Sequence, residues 1–243
     1  MLSNRRQVIL RALIQEYIDC ATPVASKTLV DNYDIHASSA TVRNDLSYLE
    51  DIGFIMQPHT SAGRIPTEAG YREFVDKYID EFEDLEKSDD FEAIQSEIRN
   101  SADEIDSLLD KLSKEIARLT SCLSIISPVS NESKHSHISK RGISSILRQP
   151  EFRDSSSLLP IMEILEDDTI LFKTLNNSSD NEGLTVHIGH ENRSKSLSGV
   201  SVVSATFGEV NNGGVVAVIG PTRMNYENVI KAVRIAQNIL DEL

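Results

Sequence analysis

Over residues 1–80 apolar positions recur every three or four residues, and the pattern predicts four helices and one hairpin. Gln7 to Cys20 puts Leu10, Leu13, Ile14, Tyr17 and Ile18 on one face and ends before Thr22 and Pro23. Ser26 to Tyr33 is a second helix, with Leu29 and Val30 inward, and the turn DIHAS leads to a third. Ser38 and Ser39 cap that third helix, Val42, Leu46, Leu49 and Ile52 form its apolar stripe, and Gly53 stops it. FIMQ then reads as a strand, PHTSAG as a loop tip and RIP as a return strand. Thr67 caps a fourth helix that carries Phe74, Val75, Tyr78 and Ile79 on one side.

The rest of the chain alternates between the two periods. From Phe91 to Leu123, Ile94, Ile98, Ile105, Leu108, Leu112, Ile116, Leu119 and Leu123 recur at helical spacing. The stripe suits either a homodimer seam or the cover of a sheet, and the break at Ser101 favours the cover. LSIISP is a buried strand, Val129 to Arg141 a polar loop and Gly142 to Gln149 a short helix. PEFRDSSSLLPIMEILEDDTILFKTL supplies two more helices, capped around Ser155 and resuming at Thr169. LTVHIG, GVSVVSATFGEV and GGVVAVIGP are strands, the last two an antiparallel hairpin joined through Asn211 to Gly214. Asn225 to Leu243 closes as an amphipathic helix. Helices on an antiparallel sheet predict an α+β domain.

Helix, helix, turn, helix, hairpin is the order of a winged helix-turn-helix domain, against the plainer alternative of a small helical domain that binds nothing. The polar face of the third helix carries Thr41, Arg43, Asn44 and Tyr48, groups suited to base edges in a major groove. Ser38, Ser39, Lys27 and Thr28 stand near helix N-termini, where phosphates are held. His59, Thr60, Ser61 and Arg64 lie on the hairpin, where they would set it against the sugar-phosphate backbone or the minor groove.

Charge works against this reading. The net charge is −14, and residues 1–80 hold 8 Lys and Arg against 11 Asp and Glu. The acidic excess is greatest over 81–127, with 5 basic against 13 acidic residues. Binding would therefore rest on a local positive face of Arg5, Arg6, Lys27, Arg43 and Arg64, with modest non-specific affinity and a shallow salt slope. The dense acidic stretch DEFEDLEKSDDFE is a hinge between domains or simply a solvated face.

TPVASKTL, SSATVRNDLSYLEDIGFI and, above all, QPHTSAGRIPTEAGYREFVD resemble the HrcA family of bacterial heat-inducible transcription repressors. The second half resembles it in QPEFRD, HIGHEN and GGVVAVIGPTRMNYENVIKAV. The resemblance implies binding to an inverted repeat called CIRCE upstream of chaperone operons, a GAF-like C-terminal domain, and dependence on a GroEL-type chaperonin that is lost when heat fills the chaperonin with clients. Family members usually place a long segment, including a dimerisation domain, between the LSIISP strand and the QPEF helix, where only Val129 to Arg148 stands here. The expected fold is thus α+β: a winged helix-turn-helix domain over 1–80, an acidic hinge and connecting helix over 81–122, and a reduced GAF-like domain over 123–243.

Other chemistries find little support. Cys20 and Cys122 are far apart and read as reduced packing residues, so no disulfide is expected. His135 and His137 lack further ligands for a metal, and Ser, His and Asp occur in no catalytic pattern, so neither a metal, a cofactor nor an enzyme is expected. No apolar run of about 18 residues and no signal-peptide pattern occur, which points to the cytoplasm. IGPTRMNY invites an anion site at Gly220 and Arg223, against the simpler reading of a strand-to-helix turn. The expected protein is a homodimeric repressor whose partners are double-stranded DNA and the chaperonin. A small-molecule sensor built on the GAF-like domain is the alternative, and a docking protein that no longer binds DNA the third.

Overall fold

The structure is a computed structural model that describes residues 2–83, 105–128, 138–168, 170–171, 174–175, 183–208 and 213–242, with the backbone alone at 80–83 and 155. The chain divides into two compact units, Met1–Ile79 and Asp80–Leu243. The hinge residues beyond Glu83, the helix expected over 91–104, His135, His137 and the turn over 209–212 lie outside the described residues.

The first unit is built from α1 (Asn4–Cys20), α2 (Ser26–Asn32), α3 (Ser39–Asp51), β1 (Ile55–Met56), β2 (Ile65–Pro66) and the start of α4 (Glu68–Glu83). Ile9, Leu10, Leu13 and Ile14 of α1, Leu29 of α2, and Val42, Leu46 and Leu49 of α3 form its core. Burying each of these side chains contributes on the order of 1.5–3 kcal/mol. Helix α1 begins three residues earlier than its apolar pattern indicates, because Arg5 and Arg6 in its first turn are held by a side chain of α3. It ends at Ala21, which adopts a left-handed φ of 52°. Ile52 is 41% exposed: α3 stops at Asp51, so Ile52 leaves the helical register that buries the rest of the stripe.

The hairpin is short. Ile55 pairs with Pro66 and Met56 with Ile65, and a separate bridge joins Val24, ahead of α2, to Arg64 through two 2.8 Å backbone bonds. Gly63 permits that bridge, since a Cβ there would run into the Val24 carbonyl. The Thr67 hydroxyl donates to the Gly53 carbonyl at 2.6 Å and accepts from the Gly70 N–H at 3.2 Å. One residue thus caps α4 and ties it to the end of α3.

The second unit holds α5 (Ile105–Thr120), β3 (Leu123–Pro128), β4 (Ser139–Arg141), α6 (Ile143–Leu147), α7 (Ser155–Glu166), β5 (Leu184–Ile188), β6 (Val200–Phe207), β7 (Gly214–Pro221) and α8 (Tyr226–Asp241). Its five-stranded sheet is antiparallel in the order β4-β3-β7-β6-β5. Side chains alternate between its faces. Leu123, Ile125, Val202, Val215, Ala217 and Ile219 meet Ile146 of α6 and Ile161, Ile164 and Leu165 of α7 on one face. Helices α5 and α8 pack on the other, where Ser113 donates to Ser124 and Ser201 hydrogen-bonds Tyr226 at 2.7 Å.

In this unit the helical stripe takes the favoured of its two readings, and several other expectations change. The described part of the long helix, α5, buries Leu108, Leu112 and Ile116 against its own sheet and leaves Ile105 71% exposed, so this stretch packs within the chain. A left-handed Ser121 ends it, and Leu123 belongs to β3. Within the segment read as a polar loop, Ser139–Arg141 is a strand, because Ser139 is buried against β3 with its hydroxyl on Asp110. The cap of α7 is Asp154, whose carboxylate accepts from the Ser156 N–H at 3.1 Å; a 3-10 turn over Pro150–Phe152 precedes it. Cys122 is buried, which pushes its thiol up to about 12, whereas Cys20 is exposed, so packing accounts for Cys122 alone.

Candidate nucleic-acid interface

Ser38 caps α3 by accepting the Thr41 N–H at 3.2 Å, and its hydroxyl lies 2.9 Å from that of Thr41. Its neighbour Ser39 shares a hydrogen bond of 3.1 Å with Ser26 at the start of α2. The helix-helix turn is therefore closed by hydroxyls, and Lys27 stands exposed beside it with Thr28 half-buried. Arg43, Asn44 and Tyr48 are exposed and Thr41 half-buried on α3. The structure thus brings the N-termini of α2 and α3 together, with Arg43, Asn44 and Tyr48 following along the exposed side of α3. His59, Thr60 and Ser61 are exposed at the hairpin tip, which Gln57 holds by donating to the carbonyls of Thr60 and Ala62 at 3.1 and 2.8 Å.

Between α2, α3 and the hairpin runs a cleft of about 320 Å³ lined by Ser26, Arg43, Leu46, Gln57, Ser61 and Arg64. Arg64 donates to Glu50 at 2.9 Å and is only 18% exposed. Its guanidinium ties the hairpin to α3. An arginine expected to set the hairpin against the sugar-phosphate backbone or the minor groove is thus itself paired with Glu50.

Asp45 changes the positive face in the same way. It is 3% exposed on α3, and its two carboxylate oxygens accept from Arg5 Nε at 2.7 Å and Arg6 Nε at 3.0 Å. Hydrogen bonding from Arg5 is the main cause that holds this carboxyl below its ordinary value of 3.8. The Arg6 guanidinium also lies over the Tyr48 ring, 3.5 Å from its centroid. Arg5 and Arg6 are thus bound to α3, Arg5 while still exposed to solvent, and of the five expected cations Lys27 and Arg43 are the exposed ones outside these ion pairs. Asp45 was legible in principle: it stands three residues after Val42 and four before Leu49, on the buried stripe, where a carboxylate requires a cationic partner.

No such surface appears at Arg223 in the second unit. Its guanidinium donates to Glu151 and, at 2.9 Å, to Gln149, which ties the QPEF turn to the start of α8. Gly220 serves close packing, since a Cβ would stand 2.6 Å from Cys122 Sγ. The segment is a strand-to-helix turn, the simpler of the two readings, closed by an internal ion pair. Among the described residues no cluster of metal-binding side chains occurs, and no helix is long and apolar enough to cross a membrane.

A family model described as the HrcA protein C-terminal domain matches residues 69–230. The chain belongs to the HrcA family. Curated relatives named heat-inducible transcription repressor HrcA include one from Natranaerobius thermophilus, 28% identical over 328 positions that span 96% of this chain and 94% of that protein. Another, from Streptomyces avermitilis, is 29% identical over 331 positions and spans 96% of each chain. These alignments are longer than the 243 residues here, so within them the relatives carry segments that this chain lacks. A crystal structure of a protein described only as hypothetical is 20% identical, covers 100% of this chain and 98% of that one, and has a TM-score of 0.83, a likeness of fold.

Proposed function

We propose that the protein represses chaperone operons by binding the inverted-repeat CIRCE operator, with residues 1–80 as a winged helix-turn-helix domain and 123–243 as a reduced GAF-like regulatory domain. The observation that carries this reading is the exposed row of Arg43, Asn44 and Tyr48 on α3, flanked by a tied-down hairpin, in a family of heat-inducible transcription repressors. Thr41, Arg43, Asn44 and Tyr48 meet base edges. Ser38, Ser39, Lys27 and Thr28 take phosphates, while His59, Thr60 and Ser61 touch the backbone or the minor groove and Arg64 holds the hairpin in place. A homodimer places one such surface on each half-site, so that the two-fold symmetry of the protein matches that of the operator.

Chaperonin keeps the repressor active, and heat releases the operator by withdrawing it. A gel-shift titration on a CIRCE duplex and on a scrambled duplex, at fixed salt, with and without chaperonin, tests both statements. Selective binding that chaperonin strengthens is the expected result. Equal binding to both duplexes contradicts the operator, and selectivity indifferent to chaperonin contradicts the release mechanism.

A further inference from the structure

The first turn of α1 and the middle of α3 meet around a single buried carboxylate. We propose that Asp45 is a positioning residue of the operator-binding surface: it gathers Arg5 and Arg6 beside α3 and, through Arg6, fixes the ring of Tyr48. This inference rests on the operator reading above and adds a determinant of its specificity.

Three observations carry it. Both carboxylate oxygens are taken, each by a different arginine through Nε, which leaves the terminal amino donors of each guanidinium outside the Asp45 contact. Exposure then divides the cluster. The Asp45 side chain is 4% exposed, while those of Arg5 and Arg6 are 52% and 30% exposed and Tyr48 is 37% exposed. Two guanidinium groups against one carboxylate make the cluster net positive, so a helix with an acidic residue in its centre presents cations and an aromatic ring to solvent. Lastly, Tyr48 lies one turn beyond Asn44 and Asp45, and the guanidinium stacked 3.5 Å from its centroid is the one that Asp45 holds. Orientation passes from carboxylate to arginine to ring.

Charge alone predicts the opposite result from positioning, which makes the inference testable. Removing a carboxylate from a DNA-binding surface tightens binding to every duplex if only the summed field matters. If Asp45 positions Arg6 and Tyr48, its loss weakens the operator selectively. Fluorescence anisotropy titrations of the full chain, wild type, Asp45→Asn and Arg6→Lys, are run at several salt concentrations on the inverted-repeat and scrambled duplexes. Circular dichroism melts establish that each variant is folded at the temperature of measurement.

The operator-to-scrambled affinity ratio is expected to fall about tenfold in Asp45→Asn, the size of one lost side-chain discrimination, with scrambled binding unchanged or tighter. Arg6→Lys is expected to lower the ratio similarly while keeping the wild-type salt slope, because the charge stays and the planar, stacked donor goes. Folded variants that keep the wild-type ratio, or that tighten on both duplexes equally, overturn the inference and leave the operator reading standing. A wild-type chain that does not discriminate overturns the operator reading, and the inference with it. If Asp45→Asn melts below the temperature of measurement, Arg6→Lys decides by the same criteria.

Discussion

Both units combine an apolar core with polar ties between elements, but in different proportion. In the sheet unit, β3, β6 and β7 are almost wholly buried, and both faces are sealed by helices. The N-terminal unit has two-residue strands and short helices, and several of its cross-element ties are polar: Arg5 and Arg6 to Asp45, Arg64 to Glu50, Thr67 to Gly53 and Ser39 to Ser26. Hydrophobic burial is non-directional and resists single changes in proportion to volume lost, whereas a polar tie fixes one geometry and fails when one partner goes. A surface that reads DNA needs fixed side-chain directions more than bulk stability, and the polar ties stand beside the residues proposed to read it.

The largest expected effect lies in the sheet. Ile125→Ala removes a buried side chain from the α6–α7 face and should cost about 2–5 kcal/mol. Native-state hydrogen exchange should show protection falling across β3, β6 and β7 and unchanged in α1–α3; equal loss in both units would erase the contrast. Next comes Arg43→Ala, which should cost about 1–3 kcal/mol of operator binding and relax specificity at one base position if Arg43 reads a guanine. Equal loss on every sequence, in competition titrations with single-base operator variants, would make Arg43 a phosphate contact. Ser38→Ala removes the cap of α3 and should lower the stability of the N-terminal unit by about 1 kcal/mol in urea unfolding, with the sheet unit unaffected.

The subtlest effect depends on pH. Asp45 is held below its ordinary 3.8 in the folded chain, so it binds its proton more readily when unfolded. The stability it contributes is complete above about pH 5 and is lost as pH falls past the ordinary value and through the lower, folded one. Exchange protection of α1 and α3 should therefore drop in acid in the wild type and drop less steeply in Asp45→Asn. Parallel profiles would show that other carboxylates govern the acid response.

Local chemistry made much of the chain legible. The Ser38 cap, the stripe of Val42, Leu46 and Leu49, the hairpin after Gly53, the Thr67 cap and the Val-rich strands through Pro221 follow from residue type and spacing, since each is decided within a few positions. The exposed residues on the polar face of α3 are legible for the same reason. Partners distant in sequence were not. Arg64 reads as a free cation until Glu50 lies beside it, and at Arg223 the spacing suggests a turn without showing that Gln149 and Glu151 close on it. Ser139–Arg141 reads as loop until β3 supplies an edge to pair with.

By itself, then, the sequence determined the order and period of the elements, the shortened family pattern and the polar face of α3, because these depend on neighbours along the chain. Tertiary structure alone decided which charges are available. Pairing a guanidinium with a carboxylate about forty residues away depends on distances that only the packed fold sets, as between Arg5 and Asp45.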